Sequence, residues 1–408
     1  MSSPGELLAE ALRARPGASV AGGEVLLPAL TLSASVVEHN LGVMAAYAAA
    51  HGFVLAPHGK TTLAPALFGR QLAHGAWGIT TANVVQAAVA FEAGASRVLI
   101  ANEIASAREV ELAARLLADG DRELYCLVDS LDGVELLERA CAGRGAARLG
   151  VLVELGVPGG RTGVRTVADG LAVGRAASAA PHLFLAGVEG YEGVISSERT
   201  PAALAEVDAY LERLADFAEQ VLAAGLVERP EALVSAGGSK YFDRVAALLA
   251  PLRGHGGQPA TIVVRSGCYL THDHGIYEAV SPLAHSDRQA DRLLPALELW
   301  ASVLSVPEPG LALVGFGKRD APYDAGLPIP LRRVRAEGSE PEPLAAASVS
   351  ALDDQHAYLR FPAHSAPGVG DRICFGVSHP CTAFDKWRRV LVIDDAGRVE
   401  GEIATAFH

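Results

Sequence analysis

From about residue 53 the chain repeats one pattern: a short apolar, β-branched run, a turn containing glycine or polar residues, and an Ala/Leu-rich amphipathic segment. The runs are Val54-Leu55-Ala56, Trp77-Gly78-Ile79-Thr80, Val98-Leu99-Ile100-Ala101, Leu124-Tyr125-Cys126-Leu127-Val128, Gly150-Val151-Leu152-Val153-Glu154, Leu185-Ala186-Gly187-Val188, Leu233-Val234-Ser235 and Thr261-Ile262-Val263-Val264. Runs that are apolar on both faces and spaced by helices predict a parallel sheet. Eight such units in about 250 residues match the size of an α/β (β/α)8 TIM barrel. A helix is expected ahead of them from Ser35-Val36-Val37-Glu38, a capping-box spacing before Leu41, Met44 and Tyr47.

Past about residue 284 the helical rhythm stops. Leu299–Ser305, Leu311–Val314, Ala347–Ser350, His356–Phe361 and Arg389–Ile393 are short runs between Pro/Gly clusters, which predict antiparallel strands. The expected organisation is a barrel over residues 26–284 and a C-terminal antiparallel β domain over 285–408. Residues 1–25 are candidates to join the second domain, and Val25-Leu26-Leu27 fits either.

A length of 408 residues agrees with two domains. Half the residues are hydrophobic and only 20% are charged, so there is ample core material. The net charge of −13 is unfavourable for nucleic acid or an anionic membrane, and the basic clusters Arg332-Arg333 and Lys386-Trp387-Arg388-Arg389 are short. The first residues lack a charged segment followed by an apolar one, and no stretch approaches eighteen uninterrupted apolar residues. The expectation is a cytoplasmic protein without a membrane span. Five cysteines without a signal peptide read as reduced thiols.

Two separated motifs carry the candidate chemistry. Pro57-His58-Gly59-Lys60-Thr61 follows the first barrel run, which puts Lys60 at a strand's C-terminal end, where such folds keep their chemistry. Partly desolvated there, its amine suits a Schiff base with pyridoxal phosphate; a solvated turn lysine is the bland alternative. Over three hundred residues later comes His379-Pro380-Cys381. If extended, it presents imidazole and thiolate to the same side, a pair that suits zinc, although a bare His-x-Cys is more often an inert Cys beside an ordinary His.

The turns Gly237-Gly238-Ser239 and Gly267-Cys268-Tyr269 end the seventh and eighth runs, where barrel enzymes often bind phosphate. Arg265 reads equally as a phosphate partner or as half of a structural ion pair. Arg161 sits in a glycine-rich segment at the barrel mouth. Tyr191, after the sixth run, either meets a cofactor or caps the barrel.

In this order the motifs resemble the fold-type III pyridoxal-phosphate enzymes, and within them the D-serine dehydratase and D-threonine aldolase family. The resemblance spans about residues 25–405 and adds Gly75–Thr81, Leu99–Glu103, Gly160–Gly163, Gly187–Gly193 and Ser378–Cys381 to the stretches above. It implies pyridoxal 5'-phosphate on Lys60, Arg161 near the cofactor's phenolic oxygen and Tyr191 at its ring. Gly237, Gly238, Ser239, Gly267, Cys268 and Tyr269 would hold the phosphate. It further implies zinc, or another divalent metal such as manganese, on His379 and Cys381, a D-amino-acid substrate, and a homodimer. Members with His-x-Cys look like zinc-assisted D-serine dehydratases, whereas aldolases more often carry His-x-Asp. The expected reaction is therefore dehydration of a D-β-hydroxy amino acid to a 2-oxo acid and ammonia. A metal-dependent aldolase yielding glycine and an aldehyde is the alternative; a racemase or a non-catalytic carrier of the cofactor follows. Two departures from the family pattern, Ala56 before Pro57-His58 and Gln355 before His356, bear on carboxylate recognition and on support of the metal.

Overall fold

The computed structural model describes residue 3 and residues 14–118, 120–142, 148–254, 257–344 and 346–407. Strand β1 (Ala29–Ser33) leads into helix α1 (Ala34–His51). Eight parallel strands follow: β2 (Val54–Leu55), β3 (Ile79–Thr81), β4 (Arg97–Glu103), β5 (Glu123–Val128), β6 (Leu149–Leu155), β7 (Leu183–Gly190), β8 (Ala232–Ala236) and β9 (Ala260–Val264). Between them run α2 (Pro65–Ala73), α3 (Val84–Glu92), α4 (Ala107–Leu116), α5 (Leu131–Cys141), α6 (Val167–Ala179), α7 (Pro201–Ala223) and α8 (Phe242–Leu248). Each of the eight expected runs falls on one of these strands.

The sheet order is β2-β9-β8-β7-β6-β5-β4-β3. The ring closes where Trp77 N–H donates to Leu55 O (2.7 Å) and Thr80 N–H to Pro57 O (2.9 Å). Inside it, Ala56, Leu99, Tyr125, Leu127, Leu152, Ala186, Leu233 and Val263 form a packed plug. The barrel is thus a core, with its chemistry confined to the strand ends. Gly187, in β7, has φ 154°, and a Cβ there would meet Leu233 O at 1.8 Å, so the tight approach of β7 to β8 requires glycine.

The cap of helix α1 lies two residues before the expected one. Ser33 is the N-cap, accepting from Val36 N–H at 3.4 Å, while the Ser35 hydroxyl donates to Asp395 Oδ1 of the second domain at 2.5 Å. A tertiary bond has taken the side chain that the local spacing had assigned to capping.

The second domain is built from β1 with β10 (Leu297–Glu308), β11 (Leu311–Val314), β12 (Ile329–Val334), β13 (Glu342–Pro343), β14 (Ser348–Leu352), β15 (Ala357–Arg360), β16 (Arg372–Gly376), β17 (Arg389–Ile393) and β18 (Val399–Ala404). Its main path is β13-β12-β16-β10-β1-β17-β18. β1 pairs antiparallel with β10 and parallel with β17. The N-terminal strand of this sheet therefore comes from residues 29–33, inside the span expected for the barrel, and Val25-Leu26-Leu27 is not a strand. Among the described residues no helix is long and apolar enough to cross a membrane.

The domains meet at the barrel mouth. After β9 a turn leads to the short helix α9 (Ile276–Val280), and His274 N–H and Ile276 N–H donate to Val377 O (3.0 Å) and Ser378 O (3.1 Å). The segment that follows the eighth barrel strand thereby clamps the loop carrying His379 and Cys381.

Candidate active site

A cavity of about 490 Å³ opens at the C-terminal ends of the barrel strands, and Lys60, Arg161, Tyr191, Gly237, Gly238, Ser239, Gly267, Cys268, His379 and Cys381 all line it. Residues more than three hundred positions apart thus share one wall. The volume lies in the range of small-molecule and cofactor sites.

Lys60 sits in a single 3-10 turn, Gly59–Thr61, directly after β2. Gly59 allows the turn to lie flat, because a Cβ there would meet the Phe68 ring at 2.6 Å. Beside the lysine, burial holds the His58 imidazole well below its usual range, reinforced by the positive charges of Lys60, Arg265 and Arg161. The imidazole is therefore neutral in a cationic pocket, an environment suited to a ligand carrying phosphate and carboxylate groups.

Tyr191 follows β7 and donates its backbone N–H to the Tyr210 hydroxyl at 3.0 Å. Its ring fits between two glycines: a Cβ at Gly193 or Gly238 would meet ring atoms at 2.4 or 2.9 Å. The Arg161 guanidinium lies 5.1 Å from the ring centroid on the cavity side. The Arg161 loop is itself tied down by Arg165, which donates to Thr162 O (3.0 Å) and Arg161 O (2.5 Å), and by Asp129, which accepts from Gly163 N–H at 3.0 Å. Burial pushes the Tyr191 phenol up to about 12, so it remains a donor at neutral pH. A stack of guanidinium, phenol and glycine is a flat wall of the kind that faces a planar ring.

The two glycine turns differ from each other. Gly267 lies so near the Lys60 segment that a Cβ would meet His58 O at 2.5 Å. The Cys268 N–H donates to Ser239 Oγ at 3.2 Å, which leaves the serine proton free to point at an anion. Tyr269, expected at the phosphate, is not among the residues lining the cavity: its buried side chain accepts from Gln71 Nε2 at 3.4 Å in the core. By contrast, the N–H groups of Gly237 and Gly238, which the sequence offers to a phosphate, already bind the buried carboxylate of Glu192 at 2.9 and 2.7 Å. Their contribution to an anion site is the close approach of the turn, and the open donor is the Ser239 hydroxyl. Gly238→Val is expected to drive a methyl into the Tyr191 ring and weaken retention of the cofactor about tenfold, the equivalent of a mild overpacking cost. Equilibrium binding of pyridoxal phosphate checks this, and an unchanged circular dichroism spectrum would show the fold intact.

His379 is extended (φ −152°, ψ 112°), but Pro380–Thr382 form a 3-10 turn instead of continuing the strand. The extended His-x-Cys step is thus corrected: proline at the first position favours the turn, and the two side chains share the cavity through that turn. The His379 Nδ1 hydrogen-bonds to Asp324 Oδ2 at 2.7 Å, and Asp324 Oδ1 accepts from the Thr382 hydroxyl at 2.7 Å. A carboxylate on Nδ1 fixes the ring and leaves Nε2 as a lone-pair donor, the arrangement of metal-binding histidines. Cys381 Sγ lies 3.4 Å from Thr61 Oγ1 and 3.2 Å from Cys268 Sγ, and this contact lowers the Cys268 thiol while raising that of Cys381. Among the described residues no group of three or more His, Cys, Asp or Glu forms a closed cage. Two protein donors with open positions suit a catalytic rather than a structural metal. Asp324→Ala is expected to lower metal affinity by roughly 10–100-fold with little change in cofactor content, as read by titration with zinc.

Several site residues escaped the sequence. Asp324 lies in a loop between β11 and β12, and nothing local marks it. Glu192 reads as an ordinary loop acid. Tyr277 lines the cavity because Asp273 Oδ1 accepts from the N–H groups of Gly275 (2.8 Å) and Tyr277 (2.9 Å); an Asx turn at Asp273-His274-Gly275 is a usable signal for it. Glu154, at the end of β6, adjoins Glu103, whose carboxyl is pushed up to about 9 by burial and by Glu154. Arg265 pairs with the buried Glu189 and donates to Ser235 Oγ (2.7 Å) and Gly190 O (3.1 Å), and it also lines the cavity. Gln355 and His356 lie on an exposed turn between β14 and β15, so the support of His379 falls to Asp324 instead. Ala56 is fully buried in the barrel plug.

An eight-stranded parallel barrel with a lysine at the end of its first strand, a planar-ring wall and an appended antiparallel domain defines the fold-type III pyridoxal-phosphate enzymes. Residues 296–393 match the family model described as a putative serine dehydratase domain. The chain is 28% identical over 383 residues to a D-threonine aldolase of an Arthrobacter species, covering 94% of this chain and 92% of that protein. Among solved structures, D-threonine aldolase from Filomicrobium marinum superposes with a TM-score of 0.80 at 26% identity, over 96% of this chain and 98% of the other. D-threo-3-hydroxyaspartate dehydratase shares the fold at 21% identity, with a TM-score of 0.74 over 94% and 98% of the two chains for a Cys-to-Ala mutant in the metal-free form. Over nearly its whole length the chain is thus similar to D-threonine aldolase and D-threo-3-hydroxyaspartate dehydratase, and it has the fold of the fold-type III pyridoxal-phosphate enzymes.

Proposed function

We propose that the protein is a pyridoxal-phosphate- and divalent-metal-dependent dehydratase that converts a D-β-hydroxy amino acid, such as D-serine or D-threonine, to a 2-oxo acid and ammonia. The observation that carries the reading is the pairing, in one cavity, of Lys60 with an oriented imidazole and a thiol. Lys60 would hold the cofactor covalently, Arg161 and Tyr191 would face its ring, and Ser239 with the Gly267-Cys268-Tyr269 turn would bind its phosphate beside Gly237-Gly238. When bound, pyridoxal phosphate supplies an electron sink for the pair released at Cα. The Lys60 Nζ is the base that takes the proton from the substrate's Cα. Hydroxide is a poor leaving group at neutral pH, and His379 and Cys381 are the residues that would hold a divalent metal, which would supply a Lewis acid for the β-oxygen. Neutral His58 and the protonated Tyr191 phenol add no negative charge next to the ring.

A second reading is a D-threonine aldolase, in which the same metal would favour loss of the β-hydroxyl proton and Cα–Cβ cleavage. It is favoured by the 28% identity to a D-threonine aldolase over nearly the whole chain. The dehydratase reading is favoured by the thiol in the metal pair and by the metal-free Cys-to-Ala mutant known for the hydroxyaspartate dehydratase. A panel of D- and L-β-hydroxy amino acids tests the proposal: ammonia and a 2-oxo acid should form from D-serine and not from L-serine. Glycine as the main amino product across the panel would overturn it in favour of the aldolase.

A further inference from the structure

Cys268 comes from the turn after the last barrel strand, and Cys381 from the β domain, 113 positions later. Their sulfurs nevertheless lie 3.2 Å apart on the wall of the cavity, with Thr61 Oγ1 3.7 Å from Cys268 Sγ and 3.4 Å from Cys381 Sγ. The other three cysteines, Cys126, Cys141 and Cys374, are buried away from it. Nothing in dehydration or in aldol cleavage requires a second thiol at that place.

We propose that Cys268 and Cys381 form a reversible disulfide under oxidising conditions, and that its closure disarms the metal site. An S–S bond is about 2.05 Å long, so the sulfurs need to approach by about one further ångström, a side-chain rather than a domain movement. Closure breaks both S–H bonds and makes one S–S bond. The two electrons and two protons pass to the oxidant, either a peroxide, which becomes water, or a small disulfide, which becomes two thiols. The cavity mouth gives such small oxidants a route to both sulfurs.

The consequence follows from the two anchor points. Cys381 in a disulfide has no thiolate for a metal, and Cys268 pulls on the turn that faces the cofactor's phosphate. The cross-link also staples the barrel to the loop that carries His379. A bound metal would occupy Cys381 and slow the reaction, so the metal-free protein is the sensitive form. The cross-link depends on the observed sulfur contact alone; only the disarming of the metal site rests on the proposed role of Cys381.

The test uses the cofactor-loaded protein, with and without prior chelation, exposed to hydrogen peroxide or oxidised glutathione. After blocking with iodoacetamide, it is digested without reductant and mapped by mass spectrometry. A peptide pair joined through Cys268 and Cys381 is expected, with two fewer alkylatable thiols and at least about tenfold faster formation after chelation. Zinc binding and turnover should fall in step with the cross-link and return with dithiothreitol. In Cys268→Ser hydrogen peroxide should carry Cys381 to the sulfinic acid, two peroxides each giving one oxygen atom and leaving as water, and dithiothreitol does not restore it. Separate oxidation of the two thiols with no joined peptide overturns the disulfide. A joined peptide that leaves zinc binding unchanged overturns the switch while leaving the contact intact. Full recovery of peroxide-oxidised Cys268→Ser with dithiothreitol would also count against the pair.

Discussion

Lys60→Ala is expected to lower turnover by at least about a thousandfold, because in the proposed reading one side chain would be both the attachment point of the cofactor and the base at Cα. The purified wild-type protein should absorb in the visible region and lose that band on borohydride reduction, with the reduced adduct mapping to Lys60. Of the other lysines, Lys318 and Lys386 lie over the Tyr323 ring at 6.0 and 5.8 Å, outside the cavity wall. Lys240 is the serious rival. It directly follows Ser239, and burial lowers its amine. It does not line the cavity, however, whereas Lys60 does. An adduct on Lys240 would refute the assignment and move the cofactor to the far side of the Gly237-Gly238 turn.

The second large effect concerns the metal pair. Cys381→Ala and His379→Ala are each expected to lose most bound zinc and to lower turnover about a hundredfold or more, because in the proposed reading a Lewis acid held there would assist departure of the β-oxygen. Both variants should keep the visible band, since Lys60 and the phosphate turns come from other strands of the barrel. Chelation of the wild-type protein should reproduce the loss, with recovery on adding zinc. Zinc content measured alongside the visible spectrum separates these cases. Simultaneous loss of metal and cofactor would show that the loop after β16 supports the whole cavity rather than the metal alone.

The barrel was legible because parallel strands are buried on both faces, and runs such as Val151-Leu152-Val153 announce themselves without reference to partners. The Lys60 and His379/Cys381 motifs were legible as chemistry, but their meeting depends on β16 ending at the barrel mouth. What failed was local geometry under tertiary control. Ser35 had the spacing of a cap, yet its hydroxyl serves Asp395, and Ser33 caps instead. Pro380 turned an apparent strand step into a 3-10 turn. The glycine turn after β8 looked open to an anion because its sequence shows two free N–H groups. The group that fills them, Glu192, lies 45 positions upstream. Asp324, 55 positions before His379, was hidden for the same reason: a single bond across the fold gives it its role, and no periodicity records that bond.

The most direct measurement is the product distribution from D-threonine with the zinc-loaded enzyme, read by chromatography of all carbon products and by ammonia release. The account predicts 2-oxobutyrate and ammonia in equal amounts, abolished by a chelator and restored by zinc. Glycine and acetaldehyde as the main products would contradict it and make the protein an aldolase.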